Sequence, residues 1–129
     1  MRTSVVLALG TGALALAGCR GGRQVPGFAV ATGGDPARGR ALIEARHCGA
    51  CHAIPDVPGA FGVIGPALSN VGGETFLGGG LPNTRENLVR WLRDPERLDP
   101  NTPMPTLALD ERQASDMAAY LYTLREERR

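Results

Sequence analysis

The chain has 129 residues, 14 Lys+Arg, 13 Asp+Glu and a formal net charge of +1. That length fits one small domain, and a charge so near zero gives no basic surface for nucleic acid. All 14 basic residues are arginine, which excludes a P-loop lysine, a Schiff-base lysine and a lysine-rich docking face. Aromatics make up only 5%, and a small domain this poor in large side chains usually needs a disulfide, a metal or a cofactor to complete its core. The three cysteines are an odd number, which speaks against a simple disulfide framework.

The first segment reads as an address. Met1-Arg2 is followed by an apolar run from Val5 to Ala17. The run is too short for a membrane span of about 20 residues and matches the hydrophobic region of a secretory signal. It ends Leu16-Ala17-Gly18-Cys19, which resembles the lipobox of bacterial lipoproteins. The resemblance implies cleavage before Cys19, acylation of Cys19 and stable anchoring through more than one acyl chain. Residues 1–18 are therefore expected to be a lipoprotein signal peptide, and 19–34 a lipidated N-terminus and flexible tether. Without helix or strand period, about 15 residues of tether span roughly 20 Å. The protein is expected on the periplasmic side of a bacterial membrane.

Residues 35–129 read as the folded, mostly helical part. Asp35-Pro36 has an N-cap acid followed by Pro at the first helical position. Ala41, Leu42, Ala45 and Cys48 share one helical spacing, so this first helix is expected to reach about His47. Ala53 to Pro82 holds Pro55, Pro58, Pro66 and eight Gly, and reads as loop with at most short helical turns. A structureless loop of about 30 residues makes sense in a small domain if it wraps something. Thr84-Arg85-Glu86-Asn87 opens a second helix with Leu88, Trp91 and Leu92 on its apolar face, ended by Asp94-Pro95. Asp99 to Thr106 carries three Pro in eight residues and is expected to be extended and rigid. Asp110-Glu111-Arg112-Gln113 resembles a capping box, with Leu109 and Ala114 as a staple. The last helix shows Ala114, Met117, Ala118, Leu121 and Tyr122 on one face. No strand signal or repeat is visible.

Cys48-Gly49-Ala50-Cys51-His52 carries the chemistry. The C-x-x-C-H string is the attachment signature of c-type haem. Two thiols three residues apart on a helix end can each form a thioether to one porphyrin vinyl, and the adjacent His points at the iron. A thioredoxin-like dithiol expects a βαβ setting, which is absent. A zinc site needs a further Cys or His, and only His47 remains besides Cys19. After signal removal two methionines are left for the opposite axial position, Met104 and Met117. Met117 lies on an apolar helix face, where Met more often fills a core. Met104 lies between Pro103 and Pro105, whose rings stiffen the backbone. His47 sits on the helix that carries Cys48 and has no evident route to the far side of the iron.

From about Asp35 to Leu124 the sequence resembles a class I cytochrome c, through Gly39, the Cys48–His52 signature, Gly65-Pro66 and Met104 before a last helix with Tyr120 and Tyr122. The stretch Leu81 to Leu88, with Trp91-Leu92-Arg93-Asp94-Pro95 and Met104-Pro105, is similar to cytochrome c domains associated with subunit II of haem-copper oxidases. The resemblance implies an all-α cytochrome c fold packed around one covalent haem c. It implies haem thioethers at Cys48 and Cys51, axial ligands His52 and Met104, and a Pro66 carbonyl that accepts a hydrogen bond from the ligand histidine. It sets Gly39 against Tyr120 or Leu121 where the first and last helices cross. Trp91 is expected either on the haem or in ordinary core packing. The function implied is a membrane-anchored one-electron carrier of a respiratory chain rather than an enzyme, donating to a haem-copper terminal oxidase. The alternative is an electron-accepting subunit of a periplasmic dehydrogenase. The expected partners are redox proteins and the membrane, with no nucleic acid and no small-molecule substrate. A sensor or peroxidase needs an open iron position, and Met104 argues against one.

Overall fold

The computed structural model describes residues 33–126. The proposed signal peptide, Cys19 and tether residues up to 32 lie outside the described residues. Among the described residues four α-helices follow in chain order: α1 (Pro36–Ala45), α2 (Arg85–Arg93), α3 (Pro95–Leu98) and α4 (Glu111–Leu121). Short 3-10 turns lie at Cys48–Ala50, Val71–Gly73 and Gly78–Gly80. Among the described residues there is no strand, only isolated bridges joining Ala53 to Phe61 and Phe76 to Pro82. No described helix is long and apolar enough to cross a membrane.

The helix starts follow the side chains that cap them. Asp35 Oδ1 accepts from the Ala37 N–H at 2.8 Å and the Arg38 N–H at 3.1 Å. Thr84 Oγ1 accepts from the Asn87 N–H at 3.2 Å. At α4 the capping box is complete: the Gln113 N–H donates to Asp110 Oδ1 at 2.8 Å and the Asp110 N–H to Gln113 Oε1 at 3.1 Å. Such caps satisfy backbone donors that a helix start leaves unpaired. Asp94-Pro95 does more than end α2. Asp94 is the C-cap of α2 and also the N-cap of α3, and buried Pro95 opens that short helix.

α4 is the central element. Every residue from Ala114 to Leu121 is buried, because α1 packs along one side of the helix and α2 along another. Small side chains at Ala114, Ser115, Ala118 and Ala119 permit that close approach. The tightest crossing is at Gly39. A Cβ there would run into the Asp116 carbonyl and come within 3.0 Å of the Met117 Cα. This corrects the expected contact with Tyr120 or Leu121 by about one helical turn. The register is set by Asp116, whose carboxylate takes the Asp35 N–H at 2.7 Å and Arg38 Nε at 2.8 Å. Gly34, at the end of the expected tether, lies against the Ser115 carbonyl.

Two details of α1 differ from expectation. The helix stops at Ala45, since His47 takes a left-handed φ of 54° that an α-helix cannot continue. Its buried face is Gly39 and Ile43, with Ala41 and Ala45 exposed. The alternative spacing through Ala41 and Ala45 consists of small residues that gain little from burial. The core gathers Ile43, Ile54, Val57, Leu88, Val89, Leu92, Leu109, Met117, Tyr120 and Leu124.

Candidate functional site

Cys48, Gly49 and Ala50 form a 3-10 turn directly after the break at His47. The His52 N–H donates back to the Cys48 carbonyl at 3.0 Å, so the motif closes on itself. Both thiols are free and half-buried. Burial pushes the Cys48 thiol above its ordinary pKa, with backbone hydrogen bonding and then Arg46 pulling the other way.

The loop that follows wraps this turn. The Gly62 N–H donates to the Gly49 carbonyl at 3.0 Å, Gly65 to Cys51 at 2.8 Å and Leu68 to Ala53 at 2.8 Å. Three glycines make the wrap this close. A Cβ at Gly49 would come within 2.6 Å of the Ala60 Cα. One at Gly62 would strike the Cys51 backbone, and one at Gly65 would strike the His52 imidazole. The imidazole is held from a second side, where His52 Nδ1 lies 2.7 Å from the Pro66 carbonyl oxygen. A carbonyl only accepts, so Nδ1 is the donor in this contact and Nε2 is the nitrogen left to bind a metal. The ring is thus fixed in tautomer and orientation, as for a histidine that binds a metal through Nε2.

The turn after His52 is anchored from the helices. Tyr120 Oη donates to the Pro55 carbonyl at 3.0 Å, and Arg40 donates through two nitrogens to the Asp56 carbonyl. Asp56 has a φ of 59°. A second network lies further along. Asn83 Nδ2 donates to the carbonyls of Val71 at 2.7 Å and Glu74 at 2.9 Å, and Asn83 Oδ1 accepts from Tyr122 Oη at 2.9 Å. Burial raises the pKa of both tyrosines.

Met104 comes from the far end of the sequence. It is half-buried and packs on the same core that Cys48 packs on. Its N–H donates to Thr102 Oγ1 at 3.3 Å. Met117 is 1% exposed, inside α4, as core filler is. His47 is exposed. Trp91 is half-buried and lies on the Gly78–Gly80 turn, where a Cβ at Gly78 would meet the indole ring. The glycine run therefore makes room for an indole. No group of three or more His, Cys, Asp or Glu among the described residues could hold a metal ion by itself.

Sequence reasoning missed Arg46, whose Nη1 donates to the Leu107 carbonyl at 2.9 Å. It also missed Asn83, and the close backbone approaches at Gly49 and Gly62. Arginine at a helix C-terminus is a weak signal of a favourable dipole position, and its carbonyl partner cannot be read from spacing. Among the described residues the large exposed apolar side chains are Phe61 at 81%, Val63 at 90%, Ile64 at 71% and Phe76 at 60%. The first three adjoin Gly62 and Gly65, the two loop glycines that lie against Cys51 and His52.

Two free thiols, an oriented imidazole and an apolar surround fit a covalently held haem. The Cytochrome c family profile matches residues 36–125. A relative, cytochrome c oxidase subunit 2 of Alkalihalophilus pseudofirmus, is 36% identical over 89 residues, which is 68% of this chain and 25% of that protein. The chain thus spans about a quarter of that relative's length. With helices around one core among the described residues and the cysteine-histidine turn at its edge, the chain belongs to the Cytochrome c family, whose cofactor is covalently bound haem c.

Proposed function

We propose that this protein is a membrane-anchored one-electron carrier that donates to a haem-copper terminal oxidase. Cys48 and Cys51 would hold the haem through thioethers, and His52 and Met104 would bind its iron. The observation that supports this reading is the clamped imidazole: the Pro66 carbonyl accepts a hydrogen bond from His52 Nδ1 at 2.7 Å and Gly65 leaves space for the ring. When bound, the haem iron supplies a one-electron couple between its ferrous and ferric states. The residues around it have to hold still while the charge changes. His52 is fixed by Pro66 and Gly65, and the turn after it by Tyr120 and Arg40.

The oxidase partner is supported by the relative's name, which is that of an oxidase subunit, and by the Leu81–Met104 pattern of the sequence. Anchoring at Cys19, after cleavage of residues 1–18, is supported by the apolar run and the small residues before it. A tether of about 15 residues raises the effective concentration of the domain at a membrane-bound partner. The deciding experiment is stopped-flow mixing of the reduced protein with oxidase from the same organism. Rapid oxidation at micromolar concentrations is expected. No oxidation, together with rapid reduction by a purified periplasmic dehydrogenase, assigns the protein to the dehydrogenase instead.

A further inference from the structure

The segment that carries Met104 is bound to the rest of the protein in an unusual way. Among the described residues, no backbone–backbone hydrogen bond involves residues 103–109. Pro103 and Pro105 contribute no N–H, and the Met104 N–H stays local, on Thr102 Oγ1. Ala108 has a φ of 50°, a left-handed conformation that costs a residue with a Cβ roughly 1 kcal/mol. Packing of Met104, Leu107 and Leu109 on the core supplies apolar contact, which is not directional. Two polar links leave the segment. Thr106 Oγ1 donates to Asp94 Oδ1 at 3.4 Å, and Arg46 Nη1 to the Leu107 carbonyl at 2.9 Å.

The Arg46 link is the shorter and the charge-assisted one. Its backbone is itself fixed, as the C-cap of α1 with its N–H on the Leu42 carbonyl at 2.8 Å. Arg46 stands two residues before Cys48 and grips the chain three residues after Met104. One side chain therefore spans the two halves of the site, across 61 residues of sequence.

We propose that Arg46 is the positioning residue that latches the Met104 segment to the helix entering the Cys48 turn, and so governs how readily Met104 leaves the iron. The proposal rests on Met104 being an axial ligand. Losing the guanidinium frees the Leu107 carbonyl and leaves the segment held by apolar packing and the longer Thr106 bond. The Arg46→Met variant keeps the stem and removes the donors, and Arg46→Lys restores a single donor.

The test measures how fast added imidazole binds the oxidised, haem-loaded protein, and how fast thermolysin cuts between residues 104 and 109, with sites assigned by mass spectrometry. In Arg46→Met both rates are expected to rise about tenfold, equivalent to about 1.4 kcal/mol of local opening. Arg46→Lys should fall between that variant and the parent. Arg90→Met is the control: it removes a surface arginine that bonds Asn87 at 3.5 Å and should leave cutting within 104–109 unchanged. Unchanged rates in Arg46→Met, or equal acceleration at sites throughout the domain, overturn the latch. If imidazole binding in the parent is already fast and Met104→Ala does not alter it, the ligand reading fails instead. Cutting within 104–109 then still decides whether Arg46 holds the segment.

Discussion

Met104, the proposed iron ligand, and Asp116 carry the two predictions that belong to single side chains. Thioether ligation favours reduced iron, so Met104→Ala is expected to lower the reduction potential and remove the weak near-infrared charge-transfer band of the oxidised protein. Redox titration and near-infrared absorption check this, and Met117→Ala, at a core position, should leave the band in place. Asp116 is a buried carboxylate. Burial alone would raise its pKa, but the Arg38 hydrogen bond, the Asp35 N–H and the nearby guanidinium charges outweigh that and hold it below the ordinary value. A depressed folded pKa adds stability that is present above the unfolded value and is lost as the pH falls through the folded one. Asp116→Asn is therefore expected to cost about 1–2 kcal/mol at neutral pH, a figure kept low because the Arg38 side chain is 51% exposed. The gap between the two proteins should narrow below about pH 4, as read by denaturant unfolding at several pH values.

The helices were readable where local chemistry decides them and misread where tertiary contact does. Asp35, Thr84 and the Asp110–Gln113 box mark their helix starts because capping involves only near neighbours in sequence. The buried face of α1 was misassigned because Ala41 and Ala45 have the right spacing, and only the position of α4 selects Gly39 and Ile43 instead. The haem turn was readable because five consecutive residues carry it, and the Pro66 contact followed from resemblance. The Arg46 link joins residues 61 apart and left no local trace. The α1–α4 crossing also yields a sharp expectation. At Gly39 a Cβ would enter the Asp116 carbonyl, and neither backbone can yield without moving a helix. Gly39→Ala gains helix propensity of up to about 1 kcal/mol, yet is expected to lose about 3 kcal/mol through overpacking. Thermal unfolding of the haem-loaded protein checks the sign; a stabilised variant would overturn the expectation.

For the molecule as a whole, the proposed anchor and docking face each yield a prediction. Cys19→Ser is expected to abolish lipidation and move the protein from the membrane fraction to the soluble one, or leave it held by an uncleaved signal. Fractionation with mass spectrometry distinguishes these, and an unmodified Cys19 in otherwise native protein contradicts the anchor. From Asp35 onward there are 11 Arg and 13 acids, a net charge of −2 before haem. With Phe61, Val63 and Ile64 exposed near the cysteine-histidine turn, oxidase association is expected to depend only weakly on salt.

The crossing of α1 and α4 also governs when the chain can fold. Arg38 and Asp116, which fasten it, are 78 residues apart. A chain made from its N-terminus therefore presents Ile43 long before α4 exists to cover it. Local turns can form early, but the closing contact waits for the last helix, and loop closure over that distance slows folding. An interrupted product ending before Asp110 lacks the central helix and has no partner for Gly39. Burial of the core thus waits for the segment Glu111–Leu121, on which α1 and α2 both pack.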